Sequence, residues 1–151
     1  MRIALYQPDQ AGNVGTILRL GACLGAGVDI IEPCGFPYSD RALKRGGMDY
    51  VELAAVTRHA SWEAFAGQLP GRLILFTTKA AIRLPQARFE PGDTLLMGSE
   101  SHGAPEEVHA RADLRVRIPQ VEGTRSLNIA VAAGIGVAEA LRQTGLWDLD
   151  T

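Results

Sequence analysis

The chain has 151 residues, 46% hydrophobic and 21% charged, with a formal net charge of −2. It is long enough for one domain with a buried core, and its balance excludes a generally basic nucleic-acid binder. No apolar run reaches the roughly 20 residues of a membrane-spanning helix, and the first residues read as a strand rather than a secretory signal.

The remaining composition is equally plain. The two cysteines, Cys23 and Cys34, have neither metal-ligand spacing nor a partner framework, so both are expected to be small buried hydrophobes in a cytoplasmic protein. Seventeen glycines gather at segment ends, where backbone approaches something closely.

In chain order, residues 3–6 read as an opening strand closed by Pro8. Asn13 is placed as the N-cap of a helix over 13–26, with Val14, Ile17, Leu18 and Gly21 as its buried stripe and Gly25 and Gly27 at its end. A second strand follows over 28–31, then a turn from Glu32 to Gly35. Residues 40–45 form a short basic helix that stops at Gly46 and Gly47. A third strand is expected over 50–56. Ser61 caps a helix carrying Trp62, Phe65 and Leu69, and Pro70 and Gly71 end it. Residues 73–76 are an apolar strand that runs into Thr77, Thr78 and Lys79. Lys79, Arg83 and Arg88 fall in a stretch without periodicity, expected to be an exposed loop.

The chain is organised around the next segment. An apolar strand over 95–97 leads into Gly98, Ser99, Glu100, Ser101, His102 and Gly103, and a helix from Pro105 to about 112 follows with an acidic first turn. Strand, glycine loop and helix start are the usual address of a small-molecule site in an open α/β sheet. An alternating strand over 114–118 ends at Pro119. A polar loop then leads to a long helix over 127–143, where Ala132, Gly136 and Ala140 share one face. Strands alternating with helices predict an α/β fold: a mostly parallel sheet with helices on both faces, one domain over 1–151 and no appended RNA-binding domain.

Several side chains stand out. Arg19 interrupts an otherwise apolar helix, four residues after Gly15; a snorkelling arginine would account for it as well as a functional one. Ser126 and Asn128 are explained by a helix start alone. Arg41, Lys44 and Arg45 share a helical face that is either solvated surface or a place for an anion. Gly21, Gly25 and Gly27 lack dinucleotide-binding spacing, and Ser101 beside His102 lacks a nucleophile elbow, so neither a Rossmann site nor a serine hydrolase is supported.

Three separated blocks carry a resemblance: Asn13, Gly15 and Arg19; Gly98, Glu100 and Gly103; and Ile118, Pro119, Ser126, Leu127 and Asn128. Together they are similar to the motifs of the SPOUT superfamily of methyltransferases, in its SpoU (TrmH-type) branch. Leu5-Tyr6-Gln7-Pro8, the run from Ile31 to Phe36, Gly47-Met48-Asp49-Tyr50 and Thr57-Arg58-His59 resemble its minimal subgroup, which methylates the ribose 2′-OH of the wobble nucleotide, cytidine or modified uridine, of certain leucine tRNAs. One position departs: Ala130 stands where the last block often has a serine.

The resemblance implies a deep C-terminal trefoil knot, S-adenosylmethionine as methyl donor, no metal, a homodimer and tRNA as partner. By match, Phe76, Thr77, Thr78, Gly98, Glu100, Gly103, Ile118, Ser126 and Leu127 would hold the donor. Arg19, Asn13, Glu100, Ser126 and Asn128 would form the catalytic group, with Arg19 acting either as a transiently deprotonated base or as an electrostatic stabiliser. Arg41, Lys44 and Arg45 would meet RNA. A different RNA target, or a donor-binding RNA module without turnover, are the competing expectations.

Overall fold

The computed structural model describes residues 1–49 and 55–147. Seven parallel strands form one sheet: β1 (Arg2–Tyr6), β2 (Gly27–Ile31), β3 (Val56–His59), β4 (Leu73–Phe76), β5 (Ile82–Arg83), β6 (Thr94–Met97) and β7 (Leu114–Arg117). Their order across the sheet is β3-β2-β1-β6-β4-β7-β5. Among the described residues five α-helices accompany them: α1 (Ala11–Leu24), α2 (Asp40–Arg45), α3 (Trp62–Ala66), α4 (Glu106–Arg111) and α5 (Ile129–Thr144). The expected α/β class with a parallel sheet is observed.

The strand periodicity divides the core into two layers. Ile3 and Leu5 of β1 point to one side, where they meet Val14, Ile17 and Leu18 of α1 and Val137 and Leu141 of α5. Ala4 points to the other, with Leu73, Leu75 and Leu96, against Trp62 and Phe65 of α3 and Val108 of α4. Both faces of the central strands are therefore dry, which is why β4 and β6 read as unbroken apolar runs. Burying a side chain of this size contributes about 1.5–3 kcal/mol, so the four central strands anchor the fold.

Several boundaries differ from the sequence reading, each for a local reason. Helix α1 begins at Ala11, and Gln10 occupies its cap without a side-chain bond. Asn13 is thus inside the first turn, because its amide is drawn to partners outside the helix, described below. Gly25 ends α1 as expected, in the left-handed conformation at φ 72°. The third strand lies at Val56–His59, beyond the expected 50–56; residues 50–54 lie outside the described residues. It is an edge strand with Thr57 and Arg58 facing water, so no apolar run announces it. Arg83 lies in the two-residue strand β5, not in a loop. Ser61 caps α3 by accepting from the Ala64 N–H, and Ser39 does the same for α2. Pro105 is the cap residue of α4 and not its first helical residue. Cys23 is exposed and Cys34 half-buried, against the expectation that both are buried; α1 turns Cys23 away from the sheet.

Candidate active site

The carboxyl ends of β1, β4, β6 and β7 converge, and the chain builds its principal polar cluster there. After β6 the backbone folds back on itself: Ser99 and Gly103 exchange two backbone hydrogen bonds of 2.9 Å, and the His102 N–H donates to Ser99 Oγ. Two glycines make this possible. Gly103 takes φ +67°, and a Cβ on Gly98 would stand 2.6 Å from the Gly103 carbonyl carbon.

The loop presents Glu100 inward, where it ties the start of the chain to the middle. The Asp9 N–H donates to Glu100 Oε2 at 2.7 Å, and Asn13 Nδ2 donates to Oε1 at 3.4 Å. Asn13 Oδ1 in turn accepts from Asn128 Nδ2 at 3.1 Å. Asn128 also caps α5, its Oδ1 accepting from the N–H groups of Ala130 at 2.8 Å and Val131 at 3.3 Å. Ala130 thus serves through its backbone. Asn13, Glu100 and Asn128, one from each sequence block, form a single hydrogen-bonded chain.

Beside that chain lies a cavity of about 350 Å³. Phe76, Thr77 and Thr78 line it from the end of β4. Gly98, Glu100 and Gly103 line it from the glycine loop, and Ile118, Ser126 and Leu127 from the segment that joins β7 to α5. All nine residues expected around the donor share this one space. Phe76, Met97, Ile118 and Leu127 give it apolar walls, while the Thr77, Thr78 and Ser126 hydroxyls and the Glu100 carboxylate supply polar groups. A flat heterocycle joined to a positively charged centre fits such a lining, and the volume lies in the range of small-molecule sites. The loop before α5 is braced for this task, with Gln120 Nε2 donating to the Arg125 carbonyl at 2.7 Å.

Arg19 is not in this cavity. Six residues separate it from Asn13, which turns it roughly 240° around the helix axis, to another flank of α1. There its Nη2 donates to the Gly47 carbonyl at 3.1 Å, and it lines a second cavity of about 570 Å³ between α1 and α2, with Gly15, Leu20 and Met48. The expectation that Arg19 joins Glu100 in one pocket therefore fails within a single protomer. Arg41, Lys44 and Arg45 are exposed on α2, the helix whose Ala42 and Leu43 close the Arg19 cavity.

The sequence reading missed part of the lining. Lys79, Ser99, His102, His109 and Gln120 also border this 350 Å³ cavity. His102 and Ser101 belong to a second short network: Ser101 Oγ lies 2.5 Å from Asp9 Oδ2 and 2.6 Å from His102 Nδ1, and the Ser101 N–H donates to Asp9 Oδ2. The hydroxyl and then the N–H of Ser101 hold the Asp9 carboxyl below its ordinary range. Ser101 adjacent to His102 was the available signal, but only the fold shows Asp9 reaching it. Among the described residues no group of three or more His, Cys, Asp or Glu side chains is arranged to hold a metal ion. No described helix is long and apolar enough to cross a membrane.

The sequence model of the SpoU rRNA methylase family matches residues 1–138. The chain belongs to the SpoU methylase family. Within it, the chain is 53% identical over 146 residues to a tRNA (cytidine(34)-2′-O)-methyltransferase of Beijerinckia indica, covering 95% of this chain and 91% of that protein. A structure solved in work on 2′-OH methylation of C/U34 on tRNA superposes with a TM-score of 0.86 at 42% identity, covering 94% of each chain. An AdoMet-bound rRNA methyltransferase from Sinorhizobium meliloti superposes at 0.81 with 30% identity, covering 93% of this chain and 55% of that one.

Proposed function

We propose that this SpoU methylase transfers a methyl group from S-adenosylmethionine to the ribose 2′-OH of the wobble nucleotide of tRNA, with leucine tRNAs as the substrates. The observation that carries this reading is the Asn13–Glu100–Asn128 chain at the edge of a donor-sized cavity. The names of the relatives, tRNA (cytidine(34)-2′-O)-methyltransferases, give the acceptor class. The AdoMet-bound neighbour supports the donor.

Phe76, Ile118 and Leu127 would cover the adenine of the donor, and Thr77, Thr78 and Ser126 would bond its polar edge. Gly98 and Gly103 would let the loop backbone approach the donor, and Glu100 would supply negative charge near its cationic centre. When bound, the donor supplies an already activated methyl group on a sulfonium, so the protein contributes orientation and a route for the hydroxyl proton. Asn13 and Asn128 fix the Glu100 carboxylate. Ser126 shapes the acceptor side.

Arg19 needs a partner to act. We read the protein as a homodimer in which the Arg19 cavity of one protomer faces the donor cavity of the other. The apolar residues that α5 leaves exposed, Val131 at 50% and Ile135 at 38%, give such a contact a surface. There the guanidinium would bind a phosphate and stabilise the developing alkoxide, or lose its proton transiently. Arg41, Lys44 and Arg45, beside the same cavity, would track the RNA backbone. The reading includes a single cytoplasmic domain and a C-terminal trefoil knot; the return of residues 118–127 to the cavity bordered by 76–79 and 98–103 supports the knot.

The test is transfer of labelled methyl from S-adenosylmethionine to total tRNA and, in parallel, to ribosomal RNA, followed by mapping of the modified nucleotide. Label at a ribosomal RNA site, or at a tRNA position other than 34, would overturn the acceptor assignment. Donor binding without transfer to any RNA would favour a binding module.

A further inference from the structure

On the far side of the glycine loop lies a groove of about 460 Å³ that no step above uses. Ser99, His102 and Gly103 line both it and the donor cavity, so the loop carrying Glu100 is their common wall. The remaining lining is mixed. Tyr6, Pro33 and Pro105 offer apolar surface, and Cys34 is an inert neighbour whose thiol burial pushes up to about 11.

Gln7 and Asp9 supply the polar groups. Gln7 is the sole non-glycine residue with positive φ among the described residues, at 42°. A long side chain adopts this conformation rarely, at a cost of order 1–3 kcal/mol, and such positions gather at functional sites. The strain is held by the Gln7 N–H, which donates to the Ile31 carbonyl at 2.9 Å. The half-buried amide of Gln7 has no hydrogen-bond partner among the described residues. An amide placed in a groove on strained backbone, with both its donor and its acceptor left over, is poised for a ligand with a matching edge.

We infer that this groove receives the base of the acceptor nucleotide and that the Gln7 amide reads its edge, tolerating cytosine and uracil alike. The inference rests on the function proposed above and names how that acceptor is recognised. The chemistry is complementary for both bases. Against cytosine, Gln7 Oε1 accepts from the exocyclic N4–H and Nε2 donates to N3. Against uracil, a half-turn of the amide lets Nε2 donate to O4 and Oε1 accept from N3–H. Tyr6, Pro33 and Pro105 flank the ring, and the ribose is left at the shared wall, near Glu100. A carboxylate at position 7 keeps one accepted bond with either base, from cytosine N4–H or from uracil N3–H, and has nothing to donate to cytosine N3 or to uracil O4.

The experiment uses the full chain and two anticodon stem–loop RNAs differing only in C or U at position 34. Methyl-transfer kcat/KM is measured on each, with S-adenosylmethionine binding by calorimetry as the control for folding. Gln7→Glu and Gln7→Ala are each expected to lower both values by roughly tenfold with the C-to-U ratio little changed, and the wild type should lose a similar factor on a third loop with N3-methyluridine at position 34, whose N3 carries no hydrogen to give. Gln7→Asn, whose backbone accepts positive φ more readily, should fold and bind donor normally while losing activity on both RNAs. If the wild type methylates neither RNA, the proposed function fails and the groove assignment with it. If it methylates both and Gln7→Glu and Gln7→Ala leave both values unchanged, or N3-methyluridine is methylated as well as uridine, the function stands and the assignment falls. Parallel loss of donor binding in all three variants also overturns it, by placing Gln7 in the donor site or the fold.

Discussion

Asn128 Nδ2 donates to Asn13 Oδ1 at 3.1 Å, joining the first turn of α1 to the cap of α5. The same Asn128 satisfies two N–H groups of α5 through its Oδ1, so one side chain both starts a helix and locks the residue that holds Glu100. These two duties can be separated. Asn128→Ala should lose both, with a cap loss of about 1 kcal/mol in urea denaturation and a fall in methyl transfer. Asn128→Asp keeps the cap and gains from the helix dipole, but cannot donate to Asn13. It should restore stability and leave transfer impaired; recovery of both would show that the link to Asn13 has no part in activity.

Gly136 couples the last helix to the cavity that Phe76 lines. A Cβ there would stand 2.7 Å from the Phe76 ring, which lines the cavity and stacks on Phe89 at 6.4 Å. Gly136→Ala should therefore push Phe76 from its place. Overpacking of this kind costs about 1–3 kcal/mol, and donor affinity measured by calorimetry should fall with it. Gly134→Ala, on the same helix, meets nothing within 4 Å and should leave donor affinity unchanged while stabilising the helix by about 0.5–1 kcal/mol.

How far the sequence could be read depended on how local each cause was. Leu73–Phe76 and Asp40–Arg45 are found where expected, because an unbroken apolar run and a Ser39 cap are local causes. The edge strand Val56–His59 was displaced, since its pairing with β2 is decided by distant residues. That nine residues from three separate segments line one cavity was suggested only by the motif resemblance; their convergence depends on parallel crossovers that no spacing reveals. Asn13 looked like a cap, and its actual partners lie 87 and 115 positions away. Positive φ at Gln7 left no sequence signal, whereas the six-residue spacing of Arg19 from Asn13 on one helix already turns the arginine to another flank of α1.

If Arg19 acts across a dimer, its loss and the loss of Glu100 should complement. Arg19→Ala and Glu100→Gln homodimers should each be nearly inactive, with donor binding retained by Arg19→Ala because the guanidinium lines a different cavity. Mixing the two should regenerate one intact site per heterodimer, to about a quarter of wild-type activity on random exchange. Absence of any recovery in mixed dimers would place Arg19 and Glu100 in the same protomer's reaction.

Charge reversal of Arg41, Lys44 and Arg45 to glutamate should weaken tRNA binding and flatten its salt dependence. Each phosphate contact contributes a slope of about 0.9 in log K against log salt on duplex and about 0.7 on single strands. Removing three should reduce the slope by about 2 to 3, with donor affinity unchanged. A uniform affinity loss at constant slope would mean that these side chains do not meet phosphate.

Acid sensitivity follows from the carboxylates. Asp113 is held below its ordinary value of 3.8, chiefly by the Leu73 N–H and then by Arg111, and Asp9 is held below it by Ser101. In both cases the unfolded chain binds protons more readily, so this contribution is present above the ordinary carboxylate range and is lost as pH falls through the lower native values. Urea midpoints should be flat from pH 7 to about 5 and fall below about pH 4. Asp113→Asn, whose amide oxygen can still accept from Leu73 but does not titrate, should be less stable at neutral pH and show a shallower acid slope. An unchanged slope would mean that other carboxylates set the acid limit.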